Sequence, residues 1–328
     1  MPSILPISAI VPTLDRKLPF ERMLTSLAEQ SAQPAEMIIV DASQDDQTEQ
    51  VCKSPAPGLK TKIIYRRATH VGAAPQRNQA IAYASQDFIW FIDDDVVFEP
   101  DCLKKLWEGL QSDPKLGGVN AMIINQQYKA PGFVSRMLFQ FLNGRPEKSY
   151  AGKCIGPAFN LLPEDSPNLP EVVPVEWLNT TCTLYRREAL PEPWFPSYFK
   201  DYSMLEDVAL SLRVARKWKL ANIRSAQIFH QDVGGDHKQN PEQVAEMAFL
   251  NRHFVMTKIL GREMGSDYIK LIVLQFFELF SVMFYLKRLN VFLPTLRGKL
   301  KAIPKIIAYR RQSRSAETNI PETIYPLW

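Results

Sequence analysis

The residues of this sequence best suited to chemistry fall in two acidic clusters. In FIDDDVVFEP, Asp93, Asp94 and Asp95 follow an apolar run, and three adjacent carboxylates repel one another unless a cation neutralises them. Helix capping needs only one carboxylate, so three go beyond an acidic turn. Asp93 and Asp95 have D-x-D spacing, and Mg2+ or Mn2+ is the simplest partner, since such ions leave most of their positions to water and phosphate oxygens. There the ion would act as a Lewis acid on a departing phosphate-bearing group. The second cluster, Glu206 and Asp207 in MLEDVALSLRVARKW, heads a helical pattern that buries Val208, Leu210, Leu212 and Val214. Carboxylates favour that end of a helix whatever their function. The chemical reading is a general base that accepts the proton of an attacking hydroxyl, with Asp207 in that role and Glu206 beside it.

Other residues read less sharply. Asp41, after MIIV, is either a turn-former or a nucleotide contact at a strand end. Arg77, in QRNQA at a helix start, can meet a phosphate or a carboxylate. Of the four histidines, His230 and His237 could ligate a metal or phosphate, although a lone histidine is more often structural.

The elements that must position these residues alternate between short β-rich runs and helical patterns. Strands are expected at 7–11, 37–40, 62–65 and 87–92, with helices at about 18–30 and 74–85. That layout is a parallel sheet flanked by helices, and such sheets bind ligands where the carboxyl ends of their strands converge. Pro12 to Arg16, Asp41 and Asp93 to Asp95 all fall at such ends. Beyond residue 116 come GGVNAMII, an apolar stretch at 131–142, a proline-rich loop, a strand pair reading VEWL and TCTLY, and helical patterns at about 205–218 and 241–260. This second half is expected to build the other wall of a cleft.

Composition narrows the class. With 328 residues and 46% hydrophobic content, the chain can bury a large core. Its four cysteines lack CxxC spacing, which fits a reducing compartment better than a zinc site or disulfide framework. The start, MPSILPISAIVPTLDR, does not read as a secretory signal. A dehydrogenase would need GxGxxG, and a sugar nucleotidyltransferase a glycine-rich phosphate loop where IVPTLDRKLPF has no glycine.

Six segments in order, IVPTLDR (10–16), IIVDAS (38–43), AAPQRNQA (73–80), FIDDD (91–95), VEWLNTTCTLYRREAL (175–190) and LEDVALSLRVARKW (205–218), resemble family-two glycosyltransferases. The resemblance covers about residues 7–235 and implies an α/β GT-A fold, with a mixed, mainly parallel sheet flanked by helices. It implies metal-assisted, inverting transfer of a sugar from a nucleotide-diphosphate donor to an acceptor hydroxyl. By that similarity Pro12, Thr13, Asp15, Asp41 and Arg77 hold the nucleotide, and Asp94 and Asp95 the ribose, diphosphate and metal, while Asp93 and His230 remain candidate ligands on their own chemistry. Asp207 would be the base, and Trp177 and Asn179 would line the acceptor side. Asp15 stands where the family commonly has asparagine, AAPQRN varies the small-residue run before the Arg-Asn pair, and the QxxRW motif of processive synthases is absent after Asp207. Non-processive transfer to a saccharide or lipid-linked acceptor, in cell-envelope or extracellular glycan synthesis, is therefore expected. The alternative from another class is a catalytically inactive membrane scaffold of the same fold.

The chain thus reads as a catalytic domain over 1–240, with nucleotide-binding and acceptor halves meeting at about 115, and a C-terminal helical region over 241–328. Residues 269–286 are the most hydrophobic stretch, with Asp267, Lys270, Gln275, Glu278 and Ser281 in one narrow sector. Each charge at mid-bilayer costs about 2.5 kcal/mol or more, which disfavours a lone spanning helix. From Lys287 to Arg314 there are nine Lys/Arg and no Asp/Glu, against a net charge of +4 for the whole chain. Basic residues mixed with Leu, Ile, Val and Phe suit in-plane contact with an anionic membrane, and aromatic side chains for stacking on nucleic-acid bases are sparse among them. A peripheral enzyme at the cytoplasmic face is the expectation. The competing reading is a helix that covers the chain's own core.

Overall fold

The structure is a computed structural model that describes residues 2–200, 203–231, 240–285 and 289–317. The nucleotide half contains β1 (Ser3–Thr13), α1 (Lys17–Ala28), β2 (Ala32–Asp41), α2 (Gln47–Lys53), β3 (Lys62–Arg67), α3 (Ala73–Tyr83), β4 (Phe88–Ile92), β5 (Val96–Phe98) and α4 (Cys102–Gln111). There follow β6 (Leu116–Ile123), α5 (Phe133–Asn143), β7 (Cys154–Ile155), β8 (Phe159–Asn160), β9 (Val172–Val175), β10 (Cys182–Arg186), α6 (Glu206–Val214) and β11 (Lys219–His230). The C-terminal helices are α7 (Pro241–Phe254), which continues into a π-helical turn at Val255–Ile259, α8 (Gly265–Tyr285) and α9 (Leu289–Glu317).

One sheet runs in the order β3-β2-β1-β4-β10-β6-β11-β5, with β9 also paired to β11. β1, β2, β3 and β4 are parallel, β10 is antiparallel to both β4 and β6, and β6 runs parallel to β11. The ends of β1, β2, β4 and β11 consequently share one edge, where the candidate residues lie. Helices cover both faces of the sheet, which explains why its strands read as continuous apolar runs. Along β1, Ile7, Ala9 and Val11 pack with α1 and α4 residues such as Phe20, Met23, Leu103 and Leu106. Ile10 turns to the opposite face, with Ala80 and Ile81 of α3 and Leu210 of α6.

Two sequence expectations change, and the orientation of α8, which the sequence left open, is fixed. β2 begins at Ala32 rather than Met37, because AQPAE, despite Pro34, pairs in parallel with the first residues of β1. VEWL and TCTLY are not a strand pair. β9 ends at Val175 and pairs with β11, while β10 is inserted between β4 and β6. The polar sector of α8 faces inward: Lys299 Nζ of α9 donates to Gln275 Oε1 at 2.6 Å and to Glu278 Oε2 at 2.9 Å, and Arg252 of α7 reaches Glu278 Oε1 at 3.1 Å. α7 itself is tied to the core, with Phe254 stacked on Tyr198 at 4.1 Å between ring centroids and Val255 fully buried. No helix among the described residues is long and apolar enough to cross a membrane.

Candidate active site

Four loops meet at the carboxyl edge of the sheet. Leaving β4, the chain turns through Asp93, Asp94 and Asp95 into β5, and the Asp93 N–H donates to Thr181 O at 3.0 Å just before β10. Because β5 pairs antiparallel with β11 and sets Val96 opposite His230, the last residue of β11 lies beside Asp95. His230 Nε2 stands 3.0 Å from Asp95 Oδ1, and Gln126 Nε2 lies 3.1 Å from Nδ1. Exchanged backbone–amide bonds between His230 and Asn125 hold the strand end in place. One ligand atom from each of Asp93, Asp95 and His230 falls within a mutual 4.8 Å. Two carboxylates and an imidazole at that separation fit a divalent cation, and the imidazole suits Mn2+ better than Mg2+, which prefers oxygen.

Positive charge from the chain itself already reaches the cluster. Arg16, in the turn after β1, places NH1 2.6 Å from Asp95 Oδ2 and 3.2 Å from Asp94 Oδ1. Burial pushes the Asp94 carboxyl up to about 7, with Arg16 opposing and Asp95 adding to the rise. For Asp95 burial also acts upward, but His230 and Arg16 outweigh it and hold this carboxyl below the ordinary range.

Arg77 connects the two acidic clusters. Only 3% exposed, it donates from NH2 to Asp93 Oδ1 at 2.8 Å and from NH1 to Glu206 Oε1 at 2.9 Å. α3 can point it there because Gln76 clamps the start of that helix, donating to Thr13 O at 3.0 Å and Val40 O at 2.7 Å at the ends of β1 and β2. Of the sequence alternatives for Arg77, the carboxylate partner is the one present. Glu206 is likewise engaged as a partner of Arg77, so the pair at the head of α6 divides: Glu206 is ion-paired to Arg77, whereas Asp207 feels the Arg77 charge without a direct bond to it. Asp207 Oδ1 accepts the Val208 N–H at 2.7 Å. Burial raises both carboxyls of this mutually repelling pair above the usual range. The turn that delivers them is strained: Ser203 and Leu205 have φ of 54° and 69°, each costing about 1–3 kcal/mol in residues with a side chain.

The remaining candidates are spread around this centre. Pro12 is half-buried and Thr13 buried at the end of β1, while Asp15 is exposed at φ 53° with its N–H donated to Ser43 Oγ at 2.7 Å. Asp41 is fully buried and saturated: Oδ1 accepts from the Ser43 N–H and hydroxyl, Oδ2 from Tyr65 OH at 2.9 Å and Arg67 NH1 at 3.5 Å. In this conformation it organises the Asp15–Ser43 turn instead of presenting an oxygen to a ligand. Trp177 is buried with its indole N–H donated to Leu161 O at 2.8 Å. Asn179 is buried beneath the Thr181 turn, and its Oδ1 meets no donor. His237 lies outside the described residues. Arg16, Gln76 and Gln126 were not singled out from the sequence; only Arg16 carried a signal, as a cation at a strand end.

Comparisons with known proteins agree with this geometry. The model of glycosyl transferase family 2 matches residues 8–191, more than half of the chain. An uncharacterized glycosyltransferase of Haemophilus influenzae is 32% identical over 110 residues, covering 34% of this chain and 36% of that protein. A PGL/p-HBAD biosynthesis glycosyltransferase of Mycobacterium bovis is 28% identical over 138 residues, 40% of this chain and 54% of the relative. The chain thus spans about a third to a half of these relatives. Among solved structures, S. aureus TarS 1–349 superposes with a TM-score of 0.50 at 18% identity, over 92% of this chain and 82% of that one. The mannosyltransferase PcManGT from Pyrobaculum calidifontis, solved with GDP-Man and Mn2+, gives 0.50 at 15% identity, over 96% and 82%. With a mixed, mainly parallel sheet of the GT-A type and a family match that runs from β1 through β10, the chain belongs to glycosyl transferase family 2.

Proposed function

We propose that this chain transfers a sugar from a nucleotide-diphosphate donor to an acceptor hydroxyl with inversion, and that Asp207 is the general base. The observation that carries this reading is the Asp93–Arg77–Glu206 bridge, which fixes the diphosphate-side carboxylates and the head of α6 in one rigid unit. Asp93, Asp95 and His230 would hold a divalent cation, Mn2+ in preference to Mg2+ because of the imidazole, and the similar PcManGT was solved with Mn2+. When bound, that ion would neutralise charge growing on the leaving diphosphate. Arg16 stands where it can add a second positive charge to the same leaving group.

On the other side of the bridge, Asp207 takes the proton of the acceptor hydroxyl as that oxygen attacks the anomeric carbon opposite the leaving nucleotide. Burial suits it to this task, because a carboxylate of raised pKa is a stronger base. Arg77 keeps Glu206 occupied, so the proton has one destination. Trp177 and Asn179 support the acceptor-side wall. Cell-envelope or extracellular glycan synthesis and a cytoplasmic location complete the proposal; the mycobacterial relative is named for a biosynthetic role. A panel of UDP-, GDP- and dTDP-sugars with Mn2+ tests it: metal-dependent turnover of one donor is expected, abolished in Asp95→Ala. A chain that binds no nucleotide sugar would support the scaffold reading instead.

A further inference from the structure

Helix α8 buries Leu271 and Leu274 against its neighbours, yet it does not turn a polar face to water as a surface helix normally does. Its polar residues Gln275 and Glu278 point inward to Lys299 and Arg252, and its outward arc is apolar, with Ile269, Ile272 and Phe276 each at least half exposed. α8 packs against both α5 and α9, and each neighbour leaves a stripe of its own. On α5, Phe133 is 80% and Met137 58% exposed at i, i+4 spacing. On α9, Leu293, Leu300 and Ile307 recur every seven residues and are about half exposed. Scattered exposed hydrophobics are ordinary, but stripes on three packed helices mark an interaction surface.

Charge identifies the occupant. Arg297 on α9 and Arg136 on α5 stand exposed beside these stripes, whereas Lys299, Lys301 and Lys305 of α9 are paired within the chain with Glu278, Glu242 and Glu246. A second copy docked by twofold symmetry would bring Arg297 and Arg136 of both copies into one interface. An anionic lipid interface instead accepts the apolar side chains and neutralises the cations, and no described helix is built to cross the bilayer. We infer that the α5–α8–α9 flank docks in the plane of an anionic membrane. The same flank is wired to the acceptor side: in α7, Asn251 Nδ2 donates to Met204 O at 2.7 Å, beside the base, and Arg252 joins Ala158 O to Glu278. Docking would therefore set that side of the active site near the lipid surface, a consequence that rests on the proposed function, whereas the docking itself does not.

Vesicle flotation of the full chain tests this, with pure phosphatidylcholine vesicles compared against mixed phosphatidylcholine and phosphatidylglycerol. The wild type is expected to float with the mixed vesicles. Ile272→Glu/Phe276→Glu should lose at least about tenfold in binding, and Arg297→Ala about fivefold, with anionic vesicles only. Both variants alter exposed residues, so unchanged melting temperature and donor binding would show that folding and the catalytic site are intact. Absence of wild-type binding to anionic vesicles at low salt would overturn the inference. So would light scattering that shows a dimer abolished by Ile272→Glu/Phe276→Glu while vesicle binding is unaffected.

Discussion

Replacing Arg77 with methionine removes the cation that two carboxylates share while keeping most of the side chain's apolar length. Asp93 and Glu206 then face each other's field without a counter-charge, in a site where Arg77 is 3% exposed and the bonds are 2.8 and 2.9 Å. Breaking a buried pair from one side costs about 3–5 kcal/mol, because the remaining charge keeps its desolvation penalty. With about 2.1 cal/mol/K of unfolding entropy per residue, a chain of 328 residues loses roughly 0.7 kcal/mol per degree, so Arg77→Met should melt about 4–7 °C lower. The loss should also depend on pH. Burial already raises Glu206, and without Arg77 to oppose it the carboxyl rises further. The folded variant then holds a proton that the unfolded chain releases, so its stability falls as pH rises from the ordinary carboxylate range toward the raised value. The wild type already holds this carboxyl up at about 8, so the two proteins lose stability in parallel below that pH and the gap opens only above it: scanning calorimetry at about pH 7 and about pH 9 should show the gap widening, and Glu206→Gln in the Arg77→Met background should recover part of it. A drop under about 1 °C, or one of equal size at both pH values, would refute the role given to this bridge.

Further predictions concern the two ends of the bridge. Since burial raises Asp207 and the base must be ionised, wild-type transfer should climb with pH through a limb above the ordinary aspartate range; a limb at the unperturbed position would contradict the buried base. Arg16 occupies Asp95 Oδ2 at 2.6 Å, so Arg16→Met should bind Mn2+ alone roughly tenfold more tightly by titration calorimetry, and weaker binding would show that Arg16 does not compete for that oxygen. His230→Asn should reduce affinity for Mn2+ more than for Mg2+, and an equal loss for both ions would remove the imidazole from the ligand set.

Much of this site could be read from the sequence because the residues end apolar runs. Asp93 to Asp95 terminate β4, and Glu206-Asp207 open α6, so their places at element ends needed no tertiary information. The link between them did, since Arg77 is 129 residues from Glu206 and its choice between phosphate and carboxylate depends on how α3 is clamped by Gln76. His230 reaches Asp95 through a strand whose register slips between Ile223 and Gln227, an irregularity with no local signature. The start of β2 was hidden by Pro34, which reads as a breaker but here pairs with the first residues of β1. Periodicity showed α8 to be amphipathic but could not say which side faces the chain. That was decided by Lys299 and Arg252, one on the helix that follows α8 in the sequence and one on the helix before it.

The central claim is that Asp207 removes the acceptor proton in a family-two glycosyl transfer. Its most direct test is single-turnover transfer from the donor that the panel identifies, comparing wild type with Asp207→Asn at equal donor occupancy. The expected result is a rate about 100-fold to 10,000-fold lower in the variant with donor affinity retained. Transfer by Asp207→Asn at the wild-type rate would contradict the account.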